Sequence, residues 1–259
     1  MICFILSKIV TMAILGIELS INEKLYQRNP QRTELGRSIL RHSILMIDEL
    51  GLERFNFRKL AERIGSTEAS VYRYFENKQL LLVYLVNWYW EWMRFRIDMK
   101  AMHINDPKEK LRVAICCIVD TAKRNARIEF IDEDVLHRIV VAEGAKAYHN
   151  KEVDAQNKDG FFWSYKELCN RIANIILENN PSFPYPRALA SSLLEMANNH
   201  IYFAEHLPRL TEVKEEGDLL KQVELLLLYF AWRLVFPSEE QSEQAAGHRF
   251  NSQSGQVWH

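Results

Sequence analysis

A chain of 259 residues, 48% of them hydrophobic, is long enough to bury a large core without covalent staples. Its four cysteines, Cys3, Cys116, Cys117 and Cys169, form neither a C-x-x-C pair nor the framework of a small secreted domain, so reduced thiols in a cytoplasmic protein are expected. The net charge of −1 carries no general attraction for nucleic acid, but it divides into +1 over residues 1–31, +2 over 32–78 and −4 over the remainder.

The chain opens on MICFILSKIVTMAILGIELSI, an apolar run interrupted by Lys8 and Glu18. The uncharged stretch between them is far shorter than the roughly 20 residues that a spanning helix needs. Positive charges do not precede the apolar run and no small-residue cleavage site follows it, so it is not a signal peptide either. Residues 1–31 are therefore expected to form an N-terminal extension, a poorly fixed arm at its start, with Met12 offering a second point of initiation.

From Thr33 to Phe236 the apolar spacing is helical, with no alternating run between turn signals, which predicts an all-α protein. Breaks are expected at Gly51, Gly65, Asp106-Pro107, Glu143-Gly144, Asp159-Gly160, the PSFPYP stretch at 181–186, Pro208 and Glu216-Gly217. Thr33 can cap a first helix carrying Leu35, Ile39, Leu40, Met46, Ile47 and Leu50 and ending at Gly51. Asn56 can cap a second, whose Phe57, Leu60, Ala61 and Ile64 share one face until Gly65 stops it. Ser66 or Thr67 then starts a third. A short helix, a tight glycine turn and another short helix make the helix-turn-helix layout.

At about 100° per residue, Val71 and Phe75 of the third helix face the first two, and Ala69, Ser70 and Arg73 lie opposite. That polar edge suits the major groove, where a guanidinium reaches guanine O6 and N7. By the same geometry Tyr72 and Tyr74 flank it, with phenols placed for phosphates. Lys78 begins the next helix after the Asn77 cap, and Arg58 and Lys59 sit in the first turn of the second helix. Cations there oppose the helix dipole, which makes sense where a phosphate docks.

These residues resemble the DNA-binding domain of the tetracycline-repressor (TetR) family over residues 32–78: the DELG that ends the first helix, FRKLAERIG in the second, and S-x-Y-x-Y-F-x-x-K followed by Leu80-Leu81. The resemblance implies a three-helix helix-turn-helix head, with DNA contacts at the positions of Asn56, Arg58, Ser70, Tyr72, Arg73, Tyr74 and Lys78, to which the charge pattern adds Lys59. Phe57 replaces a frequent threonine and Tyr74 the commonest histidine, departures that affect operator preference rather than fold.

Residues 79–237 are expected to form a larger helical domain for effector binding and dimerisation, and the polar tail at 238–259 to be disordered. The helix after Lys78 is rich in rings, Trp88, Tyr89, Trp90, Trp92 and Phe95, read mainly as packing with a subset able to line an apolar pocket; no effector residue is assigned. Residues 187–207 carry Leu189, Leu193, Met196, Ile201 and Phe203 with small alanines between, and 218–236 are apolar on almost every side after Glu224. A second copy is the simplest cover for such a helix.

The expected function is a DNA-binding transcriptional regulator, a homodimeric repressor that leaves a near-palindromic operator when an unidentified small molecule binds. No catalytic residue, metal or cofactor is expected. The alternatives are a metal-dependent helical-bundle enzyme and a helical partner-binding module. The bundle enzyme needs two Glu-x-x-His pairs, and the nearest approach is Asp134-x-x-His137; His137, His149 and His200 read as satisfied core or surface histidines.

Overall fold

The computed structural model describes residues 18–121 and 128–236. Among them are α1 (Glu34–Arg54), α2 (Phe57–Arg63), α3 (Glu68–Tyr72), α4 (Lys78–Ala101), α5 (Pro107–Asp120), α6 (Glu133–Glu143), α7 (Ala145–Tyr148), α8 (Val153–Lys158), α9 (Trp163–Asn179), α10 (Pro186–His206) and α11 (Leu219–Val235), with three short 3-10 turns and no strand. The expected polar tail and the start of the chain lie outside the described residues. No helix among the described residues is long and apolar enough to cross a membrane.

The helix starts follow the capping chemistry. Thr33, Asn56, Thr67 and Asn77 each accept a backbone N–H from their own helix, at Gly36, Lys59, Ser70 and Leu80 respectively. Gly51 takes φ +74, a conformation that breaks α1 and leaves one further turn beyond it. Gly65 at φ +64 makes the turn between α2 and α3. In the head, Ile39, Leu40, Ile44, Leu60, Val71 and Phe75 are wholly buried, so each of the three helices turns one apolar face to a shared core.

The described part of the N-terminal extension is not loose. From Glu18 onward it is built into the protein: Leu19, Ile21 and Leu25 are buried, and the buried Gln31 amide holds Leu19 at both its N–H (3.1 Å) and its carbonyl (2.8 Å). Lys24 pairs with Asp159 at 2.6 Å, and Asn22 donates to the Asp159 carbonyl. Two 3-10 turns and an extended backbone have no helical period, which is why the spacing of apolar residues did not reveal this segment.

In the body α4 is buried along nearly all its length, with α5 and α9 packed on it, and its rings form the core: Trp88 stacks on Trp92 at 5.9 Å and Trp92 on Phe95 at 5.5 Å. Helix α6 lies between head and body, against both α1 and α4. Arg138 of α6 holds Asp48 of α1 through two bonds of 3.0 and 2.8 Å, and Glu143 accepts the Leu52 N–H at 3.1 Å. Helix α11 packs on α5 and α10 with Val223, Leu227, Ala231 and Val235, while Leu225, Tyr229, Phe230 and Leu234 stay exposed on its other side.

Candidate nucleic-acid interface

The short helix α3 ends sooner than its sequence suggests, and that decides which side chains reach its outer edge. It runs Glu68–Tyr72, and Arg73 is already its C-cap. Ala69 and Arg73 are exposed, Ser70 is half-buried, and Val71 and Phe75 are in the core. The polar edge is tied together by a chain of hydroxyls. Thr67 Oγ1 lies 2.8 Å from Ser70 Oγ, and one Arg73 guanidinium nitrogen donates to that same Oγ at 3.0 Å. Among the described residues no carboxylate forms an ion pair with Arg73, so its remaining N–H donors stay available to an acceptor outside the protein.

Tyr72 is the flanking phenol that does stand out. It is 45% exposed, and its ring meets the Phe57 ring edge-on at 5.1 Å. Phe57 itself is buried between Phe55 and Tyr72, which gives the residue that replaces the frequent threonine a physical role: it props the tyrosine from beneath.

Tyr74 does not stand where helical arithmetic placed it. It is 2% exposed, its hydroxyl lies 2.7 Å from Thr33 Oγ1, and its carbonyl accepts the Gln27 N–H at 2.9 Å. The ring is buried because the N-terminal segment folds over it, a cover that the geometry of α3 alone does not contain.

The basic helix starts also differ in part from the expectation of phosphate contacts. Lys78 Nζ donates to the carbonyl oxygens of Leu52 (2.9 Å), Glu53 (3.1 Å) and Phe55 (3.4 Å), closing the negative end of α1. Lys59 Nζ does the same to the Arg54 carbonyl at 3.1 Å. Both lysines reach back to the end of the helix before them. Arg58 remains on the surface, with only a loose 3.8 Å pairing to an exposed Glu62. Asn56 is exposed, but its side-chain oxygen is committed to the Lys59 N–H, leaving its amide N–H groups as donors.

One residue joins the edge that sequence reasoning did not select, and a second cation lies nearby over Tyr74. Thr67 belongs to the hydroxyl chain, and its capping role was the available signal. Arg28 lies over the Tyr74 ring, 5.5 Å from its centre, and is exposed. Nothing in the spacing of residues 18–33 points to it.

Elsewhere the rings and thiols are structural. Cys116, Cys117 and Cys169 are free, and burial raises the thiols of Cys117 and Cys169 to about 11. Asp134 and His137 face different partners: Asp134 pairs with Arg138 at 2.9 Å and His137 Nδ1 lies 2.8 Å from the Tyr89 hydroxyl. Among the described residues no group of three His, Cys, Asp or Glu could hold a metal ion.

Residues 39–85 match the family model described as bacterial regulatory proteins, tetR family. No protein of curated function matches the sequence. Among solved structures the fold is similar to AibR, crystallised in complex with isovaleryl coenzyme A and operator DNA, at 17% identity over 75% of this chain and 96% of AibR, with a TM-score of 0.53. It is similar also to the fatty acid degradation regulator FadR from Bacillus halodurans, at 18% identity over 74% of this chain and 93% of FadR, TM-score 0.53. The protein described as superantigen PfiT is matched at 14% identity over 76% of this chain and 96% of PfiT, TM-score 0.52. At these identities the likeness is one of fold.

Proposed function

We propose that this chain, whose residues 39–85 match the family model of bacterial regulatory proteins, tetR family, is a homodimeric repressor that reads a near-palindromic operator and releases it when a small molecule binds. The observation that carries the reading is the outer edge of α3. Arg73, exposed and without an acidic partner among the described residues, steadied by Ser70 and flanked by Tyr72, presents guanidinium donors suited to a major groove.

The apolar strip on α11 supports the homodimer. Leu225, Tyr229, Phe230 and Leu234 are large apolar residues left exposed on a helix whose buried residues are already packed against α5 and α10. A two-fold axis beside α10 and α11 covers that strip with its own copy and sets two recognition helices side by side. Their separation then has to match one helical turn of DNA, roughly 34–36 Å. A chromosomal operator as partner would place the protein's work in the cytoplasm.

Release by an effector is supported by the way head and body meet at α6, which holds α1 through the Arg138–Asp48 pair. A ligand that favours a different setting of that contact would alter the spacing of the heads, by no more than its differential affinity for the two settings. Selection of bound sequences from a random duplex pool tests the proposal. The expected product is a palindromic motif with a salt-dependent affinity; a pool that stays unenriched at low ionic strength rejects it.

A further inference from the structure

A cavity of about 470 Å³ lies where the head meets the body, walled by α1, α6, α10 and the start of α11. That is within the range of small-molecule sites, roughly 300–1,000 Å³. Its apolar lining comes from both parts of the protein: Ile47 from the head, Ile139, Ile201, Leu219 and Leu220 from the body. Exposed Ala142, Tyr202 and His206 stand at its rim.

The charge of the lining is one-sided. Asp48, Asp134, Glu143 and Glu205 all contribute carboxylates. Arg138 serves two of them, Asp48 at 2.8 Å and Asp134 at 2.9 Å, and Lys146, just outside, serves Glu143 at 2.7 Å. Among the described residues the one ion-pair partner of Glu205 is His206, at 3.9 Å. An anionic ligand would therefore enter a lining with carboxylates in excess and no free guanidinium or ammonium to receive it.

The wall also holds an unmatched donor. His137 is 5% exposed, lines the cavity, and has no partner at Nε2, which is itself closed off from solvent, so a ligand oxygen reaches it only by displacing a neighbouring side chain. Its Nδ1 lies 2.8 Å from the Tyr89 hydroxyl. Were Nδ1 the donor in that bond, the phenol proton would lack an acceptor and Nε2 would lack a donor. If the phenol donates, only an Nε2–H is left unmatched, and burial keeps the ring neutral in that form. His137 is thus a fixed neutral donor, and its natural complement is an uncharged oxygen.

We infer that this junction cavity is the effector site, and that its ligand is an uncharged, largely apolar molecule carrying a carbonyl or hydroxyl oxygen that His137 Nε2–H recognises. The inference rests on the regulator reading above. It also explains how binding is felt at the DNA, because the ligand touches Ile47 and Asp48 of the head on one side and α6 and α10 on the other, so filling the cavity bears directly on the Arg138–Asp48 contact.

The test uses the full chain with prodan, a neutral naphthyl ketone whose emission shifts to the blue in apolar surroundings, against the corresponding naphthoate, which replaces the ketone by a carboxylate. Prodan should bind with a blue shift and the naphthoate at least tenfold more weakly. Ala142→Trp, at the exposed rim where a larger side chain leaves the core intact, should weaken prodan binding at least tenfold. His137→Phe keeps the ring and removes the donor, and should erase most of the preference for the ketone; circular dichroism checks that both variants fold. Equal binding of the two probes, failure of prodan to bind, or unchanged binding in Ala142→Trp overturns the site. Operator affinity measured with and without prodan separates the two readings. A chain that binds prodan but no duplex loses the regulator reading and keeps the cavity, whereas one whose operator affinity ignores bound prodan keeps the regulator and loses the effector assignment.

Discussion

The Lys78 ammonium donates to the Leu52 carbonyl oxygen at 2.9 Å, across the turn that separates the start of α4 from the end of α1. With Glu53 and Phe55 it uses all three N–H donors on carbonyls that α1 would otherwise leave unpaired. Lys78→Met should therefore destabilise the protein by about 1.5–3 kcal/mol in a urea melt, the range for hydrogen bonds involving a charged group. The slope of log affinity against log salt should not change, because no phosphate contact is lost. A slope reduced by about one unit would instead return Lys78 to the DNA.

Arg73 is the opposite case, exposed and bound among the described residues to Ser70 alone. Arg73→Ala should leave the melting midpoint nearly unmoved and weaken operator binding by about 1–3 kcal/mol, with base preference relaxed at one position of each half-site. Motifs selected by mutant and wild type would show it; identical motifs would exclude a base contact.

The two tyrosines provide a paired test. Tyr74→Phe removes a hydroxyl that meets Thr33 at 2.7 Å in the core, so it should cost about 1 kcal/mol of stability and leave operator affinity intact. Tyr72→Phe removes an exposed phenol propped on Phe57, and should weaken operator binding while stability stays within about 0.5 kcal/mol. Denaturant titration and fluorescence anisotropy on the same two variants separate the roles.

Much of this was legible in the sequence because helices leave periodic marks. The caps at Thr33, Asn56, Thr67 and Asn77, the stop at Gly51, the turn at Gly65 and the buried pair Val71 and Phe75 all follow from local rules. Tyr74 and Lys78 have internal partners that their spacing does not announce, for a common reason. Each has a partner far away in the chain, Thr33 for one and the end of α1 for the other, and one-dimensional spacing carries no information about such partners. The same holds for Gln31 and Leu19, which fix the N-terminal segment by bonds that no periodicity announces. His137 was read as satisfied; it is satisfied on one nitrogen only.

The exposed strip of α11 predicts an association that can be broken without unfolding the chain. Tyr229 is 58% exposed and Leu234 49%, so Tyr229→Glu with Leu234→Glu should change the stability of the separated chain little. Burying two carboxylates against their own copies across a two-fold axis would be strongly unfavourable. Light scattering at micromolar concentration should give twice the chain mass for wild type and the chain mass for the double variant. A wild-type monomer would remove the dimer from the proposal.

His137 also makes the stability of the protein depend on pH in a defined window. Burial and the neighbouring Arg138 charge lower its imidazole to about 4, against about 6.5 for a histidine in the unfolded chain. Above pH 6.5 the ring is neutral in both states and contributes no pH dependence. As the pH falls from 6.5 toward 4, the unfolded chain takes up a proton that the folded one refuses, so stability must fall with it, by up to about 3 kcal/mol at the lower end. Carboxylates titrate in the same range, so the measurement is a difference: urea melts of wild type and His137→Phe at a series of pH values. The wild type should lose more stability between pH 6.5 and 4 than the variant does, and parallel curves would show that His137 can be protonated without disturbing the fold.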